Sequence, residues 1–117
     1  MSRSQLKDRS YEFALKIVGL SRRLSSEERE FVLSRQILKS GTSIGANIQK
    51  AFQGESRADF IHKLSSANKE AFETHYWSRL LRDSSLLKTG DDNALLDECD
   101  QLQRMLVAAI RTSKTNK

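Results

Sequence analysis

The chain's two histidines are its first candidates for metal chemistry. His62 follows Asp59 by three positions, whereas His75 has no carboxylate or histidine three or four positions before it. Di-iron helical bundles place Glu-x-x-His motifs on facing helices, and this sequence contains no such motif. We therefore interpret Asp59 and His62 as a surface pair near a helix start and expect neither a metal site nor a bound cofactor.

The single cysteine and the charged side chains offer no catalytic pattern either. Cys99 falls on an apolar helical stripe, where a buried structural thiol is the usual outcome. Lys69 and Glu73 are four positions apart, a spacing typical of a salt bridge along one helix. The sequence has no nucleophile elbow and no phosphate-binding loop. We expect no catalytic residue and no enzymatic activity.

A cluster of basic residues is the best candidate for binding chemistry. The net charge is +5, and the first 60 residues hold 11 of the 20 basic residues. The candidates for phosphate contacts are Arg22, Arg23, Arg29, Arg35, Lys39, Lys50 and Arg57. Acidic residues lie among them at positions 27, 28 and 30, and no aromatic residue is evidently exposed for base stacking. Two interpretations stay open: a nucleic-acid surface and an ordinary solvated face.

Length and composition limit the class of protein that carries these residues. A chain of 117 residues is expected to form one domain over residues 1–117. The absence of proline permits long helices, and one cysteine excludes an internal disulfide. The N-terminal residues contain no apolar stretch of the kind a signal peptide has, so we expect no signal peptide, and the sequence has no apolar run of about 20 residues. We expect a cytoplasmic protein without a membrane partner.

Apolar residues at helical spacing predict four helices, over about 7–24, 26–52, 57–84 and 93–111. Ser25 and Glu28 match a capping box before the second helix, and Ser56 with Asp59 gives the third a similar start. Residues 89–92 are expected to form a turn, and residues 112–117 a frayed tail. Short connections make successive helices antiparallel neighbours. The predicted fold is all-α, an antiparallel up-down-up-down four-helix bundle.

The segment from Ser40 to Asn47 is poor helix material placed inside the second predicted helix. Gly41 and Gly45 fall on its apolar stripe, and each costs roughly 1 kcal/mol relative to alanine. One interpretation is a ligand site with exposed backbone. The favoured one is a close helix crossing against Ala67 and Ala71 of the third helix, with Ser43 and Asn47 as a buried polar clip.

The third helix has more apolar surface than one packing seam requires. Phe72, Tyr76 and Leu80 form a second row beside the main stripe, and Trp77 lies next to it. Aromatic residues are enriched at the centres of interfaces. These four residues are the candidate oligomer interface.

Two sequence blocks, residues 34–51 and 67–77, permit a family comparison. The first block is the more specific of the two. Five of its residues match the pattern of a known family: Ser43, Ile44, Ala46, Asn47 and Ile48. The chain resembles the bacterial four helix bundle protein family, also called the large-subunit ribosomal RNA intervening-sequence protein family. One departure is that Gln49 and Lys50 stand where the family usually has a glutamate.

The resemblance implies a four-helix bundle that assembles into a ring, commonly a homopentamer. Relatives lie within inserted segments of ribosomal RNA genes, and similar proteins accompany the reverse transcriptase of diversity-generating retroelements and bind nucleic acid. The hypothesis is therefore a non-enzymatic, ring-forming homo-oligomer that binds RNA or DNA through a basic surface around helix two. The alternative is a structural or protein-interaction module without nucleic-acid binding. Ring size, biological role and any protein partner stay open.

Overall fold

The computed structural model describes residues 3–88 and 90–115. Within them it has four helices, α1 (Arg3–Ser26), α2 (Val32–Phe52), α3 (Arg57–Asp83) and α4 (Asp91–Thr115), and no strand. Both α1 and α3 pack against α2 and α4, in a body measuring 50 × 21 × 19 Å. The predicted all-α four-helix bundle is confirmed. In the described part of the chain, no helix has the length and apolar character needed to cross a membrane.

The predicted start of the second helix is wrong by about one turn and a half. Helix α1 continues to Ser26, and the Ser25 hydroxyl donates to Ser34 Oγ at 3.2 Å instead of capping a new helix. The Glu30 carboxylate accepts hydrogen bonds from the amides of Val32 (3.1 Å) and Leu33 (2.8 Å) at the start of α2. This carboxylate satisfies amides that have no partner within the helix. The connection between α1 and α2 therefore lies later than predicted, at residues 27–31.

The other helix ends agree more closely with the sequence. Ser56 Oγ accepts from the amide of Asp59 at 3.1 Å, as the capping signal predicts. Gly90 has φ +98° immediately before α4, which suits a turn, while Thr89 lies outside the described residues. The predicted turn over 89–92 extends too far, because α4 begins at Asp91 and not at 93. The predicted frayed tail is wrong in part, because α4 continues to Thr115. Residues 116–117 lie outside the described range.

The core is formed by one apolar stripe from each helix. Its fully buried large side chains are Leu6, Phe13, Ile17, Leu24, Ile37, Ile44, Ile48, Leu64, Leu81, Leu102 and Leu106. Two hydroxyls between them bridge neighbouring helices: Thr74 donates to Ser40 Oγ across α3 and α2 (2.9 Å), and Ser21 donates to the Ser34 carbonyl across α1 and α2 (2.9 Å). These bonds avoid the cost of burying an unpaired hydroxyl.

The two glycines of α2 contact α1, not Ala67 and Ala71 of α3 as predicted. A Cβ placed on Gly41 would lie 2.8 Å from both Ile17 Cγ1 and Ile17 Cγ2, and a Cβ on Gly45 would lie 3.4 Å from the Ser10 carbonyl oxygen. The expectation of a close crossing is correct, but the neighbouring helix is different. Apolar periodicity identifies the inward face of a helix and not which neighbour meets it.

The predicted polar clip of Ser43 and Asn47 is also wrong. The Ser43 hydroxyl donates to the Lys39 carbonyl at 2.6 Å, and the Asn47 amide donates to the Ser43 carbonyl at 3.0 Å. Both side chains are half-buried and bond to their own helix. Ser40 and Ser34, each on the buried side of α2, make the polar contacts between helices instead.

Gly41→Ala tests the close contact between α1 and α2. The added methyl forces Ile17 to shift, which costs about 1–3 kcal/mol and outweighs the roughly 1 kcal/mol gained in helix propensity. Gly19→Ala is the matched control, measured like Gly41→Ala on the dissociated chain, since a Cβ there meets nothing within 4 Å in its own chain and should add about 0.5–1 kcal/mol. Denaturant unfolding at one protein concentration measures both. Equal stabilisation by the two variants would contradict the contact.

Cys99 should be unreactive in the folded protein. Its side chain is fully buried with Sγ 3.2 Å from the Ala71 carbonyl oxygen. Burial, with a smaller effect from the Asp100 charge, raises the pKa of the thiol to about 12. The unfolded pKa is about 8.5, so this thiol contributes stability below about pH 8.5 that is lost as the pH rises toward 12. Ellman's reagent at pH 8 should label the protein only in guanidinium; fast labelling of the native chain would contradict the burial.

Candidate nucleic-acid interface and exposed apolar surfaces

The outward face of α2 carries a stripe of positive charge, formed by Arg35, Lys39 and Lys50. All three side chains are exposed, and at 100° per residue they fall within about 60° of one another around the helix. Fifteen residues separate Arg35 from Lys50, which corresponds to about 22 Å along the axis. No Asp or Glu occurs between Val32 and Phe52. This face, the α2 stripe, therefore carries positive charges and no acidic residue of its own helix.

The remaining predicted basic residues divide between the two ends of the bundle. Arg22 and Arg23 lie in the last turns of α1 and Arg29 lies in the following connection, at the same end as Arg35. Arg57 begins α3 at the opposite end, close to Lys50 in the chain. The seven residues thus divide into three groups and do not form one compact patch. The groups are the cluster of Arg22, Arg23 and Arg29, the α2 stripe, and the distal Arg57.

None of the seven basic residues forms an ion pair within residues 3–88 and 90–115. The guanidinium of Arg29 lies over the ring of Phe31, 5.8 Å from its centroid, and Phe31 is 46% exposed. The expectation that no aromatic residue is available for stacking is therefore wrong. It failed because Phe31 lies in the connection before α2, whereas the second predicted helix, over 26–52, included it.

The acidic residues near the basic cluster are partly engaged elsewhere. Glu27 Oε2 lies 3.8 Å from Lys88 Nζ, and the Glu30 carboxylate accepts hydrogen bonds from the first amides of α2. Glu70 of α3 faces the side of the stripe: burial raises the pKa of its carboxyl most, the charge of Glu73 adds to this, and the charge of Lys39 opposes it. An acidic neighbour therefore offsets part of the positive charge of the stripe at Lys39.

The predicted interface residues of α3 are mostly exposed. Phe72 is 64%, Tyr76 53% and Leu80 38% exposed. Trp77 is half-buried against the core, edge-to-face with Tyr76 at 5.2 Å between ring centroids, and its Nε1 donates to Glu73 Oε1 at 3.3 Å. Glu73 therefore bonds to Trp77 and not to Lys69 as the sequence suggests.

A second exposed apolar surface on α1 was not anticipated. Tyr11 is 63% and Leu15 is 56% exposed. They are four positions apart and lie off the buried stripe of Phe13 and Ile17. The sequence does contain a signal for this surface, because an aromatic and an aliphatic residue four positions apart lie side by side on a helix. The buried stripe of α1 is sufficient by itself to predict the helix, so this second pair adds nothing to that prediction.

Metal and catalytic chemistry find no support in the described part of the chain. Within it, no three His, Cys, Asp or Glu side chains are close enough to hold a metal ion. His62 is exposed and His75 is half-buried beside α4. Among the described residues, one surface groove of about 330 Å³ lies between α1 and α4 and is crossed by the Lys16–Glu98 ion pair at 2.5 Å, and another of about 570 Å³ lies between α3 and α4. Neither brings together an acid–base pair with a nucleophile.

Comparison with known proteins agrees with the fold. Residues 3–108 match the family model described as 23S rRNA-intervening sequence protein. The chain is also similar to a crystal structure of a protein of unknown function from the S23 ribosomal protein family of Bacteroides thetaiotaomicron VPI-5482. The two are 45% identical with a TM-score of 0.92, over 95% of this chain and 99% of that one. No curated protein is significantly similar to this chain. Because the family model spans most of the sequence, this four-helix bundle belongs to the 23S rRNA-intervening sequence protein family.

Proposed function

We propose that this chain is a non-enzymatic, self-associating helical bundle that binds RNA or DNA through the basic surface around α2. The observation that carries the proposal is the α2 stripe: Arg35, Lys39 and Lys50 are exposed, form no ion pair with any described residue, and have no Asp or Glu between them along the helix. The inward face of the same helix is fully used in packing. Its outward face is therefore free for a ligand, and its charge selects an anionic one.

The dimensions of the stripe suit a nucleic-acid backbone. A length of about 22 Å corresponds to roughly six phosphates at 3.4 Å per step along one strand. The stripe offers charges to phosphates and no built pocket for a base edge, so binding should depend on salt more than on sequence. Arg29 and Phe31 at one end supply a cation and an aromatic face on which an unpaired base can stack.

Self-association is supported by the exposed apolar residues of α3. Phe72, Tyr76 and Leu80 occupy successive turns and are all exposed. A contiguous apolar surface of this kind on a monomer marks an interaction site. A homo-oligomer, the pentameric ring of the sequence prediction included, would repeat the α2 stripe in every copy and multiply the phosphate contacts available to one strand.

RNA is the first ligand to test, because the family is described by an intervening sequence of 23S rRNA. The alternative function is an interaction module without a nucleic-acid role. The position of Glu70 beside Lys39 favours that alternative, since it reduces the net charge of the stripe at its middle. The proposal places the active protein in the cytoplasm and requires no cofactor.

Replacing Arg35, Lys39 and Lys50 together by Gln should weaken RNA binding at least tenfold in about 50 mM salt. It should also lower the slope of log K against log [salt] by about 2–3, since up to three phosphate contacts are lost. The matched control replaces Arg104, Arg111 and Lys114 of α4 by Gln, which removes the same charge and should change affinity less than twofold. Fluorescence anisotropy with labelled single- and double-stranded RNA and DNA measures both. Absence of wild-type binding, or equal losses in the two variants, would refute the proposal.

Light scattering after size-exclusion chromatography should give the wild-type protein a mass of several multiples of 13.3 kDa. Tyr76→Glu should reduce that mass to one chain, because it places a charge at the centre of the apolar row. Thr112→Glu, also an exposed helical position, is the control and should leave the mass unchanged. A wild-type monomer at all concentrations would reject self-association.

A further inference from the structure

The outward face of α1 carries an ordered series of exposed residues: Asp8, Tyr11, Leu15, Gly19 and Arg22. They fall within about 80° around the helix and extend about 21 Å along it. An acidic residue begins the series, apolar and small residues occupy its middle, and a basic residue ends it. We call this series the α1 row. Its members Asp8 and Arg22 make no ion pair within the described residues.

The outward face of α3 repeats the same spacing with opposite charges. Its series, the α3 row, is Lys69, Phe72, Tyr76, Leu80 and Asp83, and all five residues are exposed. Both rows therefore have members at relative positions 0, 3, 7, 11 and 14, which is a heptad-like pattern. Asp83 bonds to its neighbour Arg82 at 2.8 Å, which lowers the pKa of its carboxyl.

We propose that the α1 row of one copy docks in parallel against the α3 row of a second copy, so that the chain assembles through two different faces. In this register Asp8 lies opposite Lys69 of the next copy, and Arg22 lies opposite its Asp83. Leu15 lies opposite Tyr76 of the next copy at the centre of the contact. The inference rests on the proposed self-association and deepens it by naming the interface.

Charge selects the parallel orientation. If the two rows met antiparallel at the same centre, Asp8 would face Asp83 and Arg22 would face Lys69, which places like charges together at both ends. Exposed ion pairs contribute little to affinity, but like-charge pairs disfavour the wrong register and orientation. The parallel register is the arrangement of these two rows in which both ends are complementary.

The helix directions permit the same orientation. In an up-down-up-down bundle α1 and α3 run the same way, and each packs against α2 and α4, so the two occupy opposite corners. A rotation about an axis along the bundle preserves helix direction and brings α1 of one copy parallel to α3 of the next. Such a heterologous contact closes into a ring when the rotation per step permits.

One opposed pair in the two rows is also complementary in size. Gly19 presents no side chain, and a Cβ placed on it meets no atom within 4 Å. Leu80 of the next copy lies opposite this open position in the proposed register. A symmetric contact of one row with its own copy would leave the other apolar row exposed, whereas the contact between unlike rows covers both in every molecule.

Disulfide trapping tests the pairing. Leu15→Cys and Tyr76→Cys are made as separate full-length proteins, one carrying a mass tag, and are mixed, allowed to exchange subunits and oxidised with copper phenanthroline. The expected product is a disulfide-linked heterodimer, with little homodimer from either variant alone, and a ladder of higher species from a chain carrying both changes. The buried Cys99 serves as the background in wild-type protein.

The other outcomes overturn the inference in different ways. A homodimer from either variant alone would show a symmetric contact of that row. Assembly seen by light scattering without any cross-link would reject these rows and leave the proposed function standing. A monomeric wild-type protein would reject both the interface and the self-association.

A charge exchange gives an independent test that leaves the apolar residues intact. Asp8→Lys and Lys69→Asp should each weaken self-association at least fivefold, and the two changes in one chain should restore it to within twofold. Glu28→Lys, exposed in the α1–α2 connection, is the control for a change of net charge. Circular dichroism checks that each variant folds. Failure of the double variant to recover would contradict the opposition of Asp8 and Lys69.

Discussion

The contact of Gly41 on α2 with Ile17 on α1 is the constraint on which the arrangement of the bundle depends. The missing Cβ lets an isoleucine side chain occupy the space that any other residue at position 41 would fill. This contact orients the apolar stripe of α2 inward. Because one helix has a fixed period, orienting the inward face also determines the outward one. The basic residues Arg35, Lys39 and Lys50 therefore face solvent as a consequence of how α2 packs.

The interior of the bundle is used for packing. The buried hydroxyls pair with one another or with backbone carbonyls, as Ser40 does with Thr74, and the one thiol is held neutral by its burial. In the sequence, Gly41 and Gly45 suggest a ligand site. In the fold, the space beside them is occupied by Ile17 and Ser10 of α1. The features available for binding therefore lie on the surface, where charged and exposed apolar residues are arranged in ordered rows on α1, α2 and α3.

Much of the fold follows from the sequence because the spacing of apolar residues determines helices and their inward faces. The neighbour of each face does not follow in the same way: Gly41 and Gly45 were expected against α3 and contact α1, since one helix pattern contains no information on its partner. The predicted start of α2 is wrong because Ser25 and Glu28 match a capping box that the fold does not use, whereas the Glu30 carboxylate accepts the first amides of α2. The basic residues can be picked out from the sequence by residue type. Their division between the α2 stripe and the two ends of the bundle depends on where each helix begins and ends and on its direction.

Sedimentation velocity of the full chain with a fluorescently labelled RNA, in about 50 mM salt, reports assembly and RNA binding in one boundary. If the assembled bundle binds RNA through its basic surface, the RNA sediments with a species several times heavier than 13.3 kDa and is released from it, without dissociation of the protein, as salt rises to several hundred millimolar. RNA that sediments alone at low salt beside an assembled or monomeric protein would show that the bundle does not bind it.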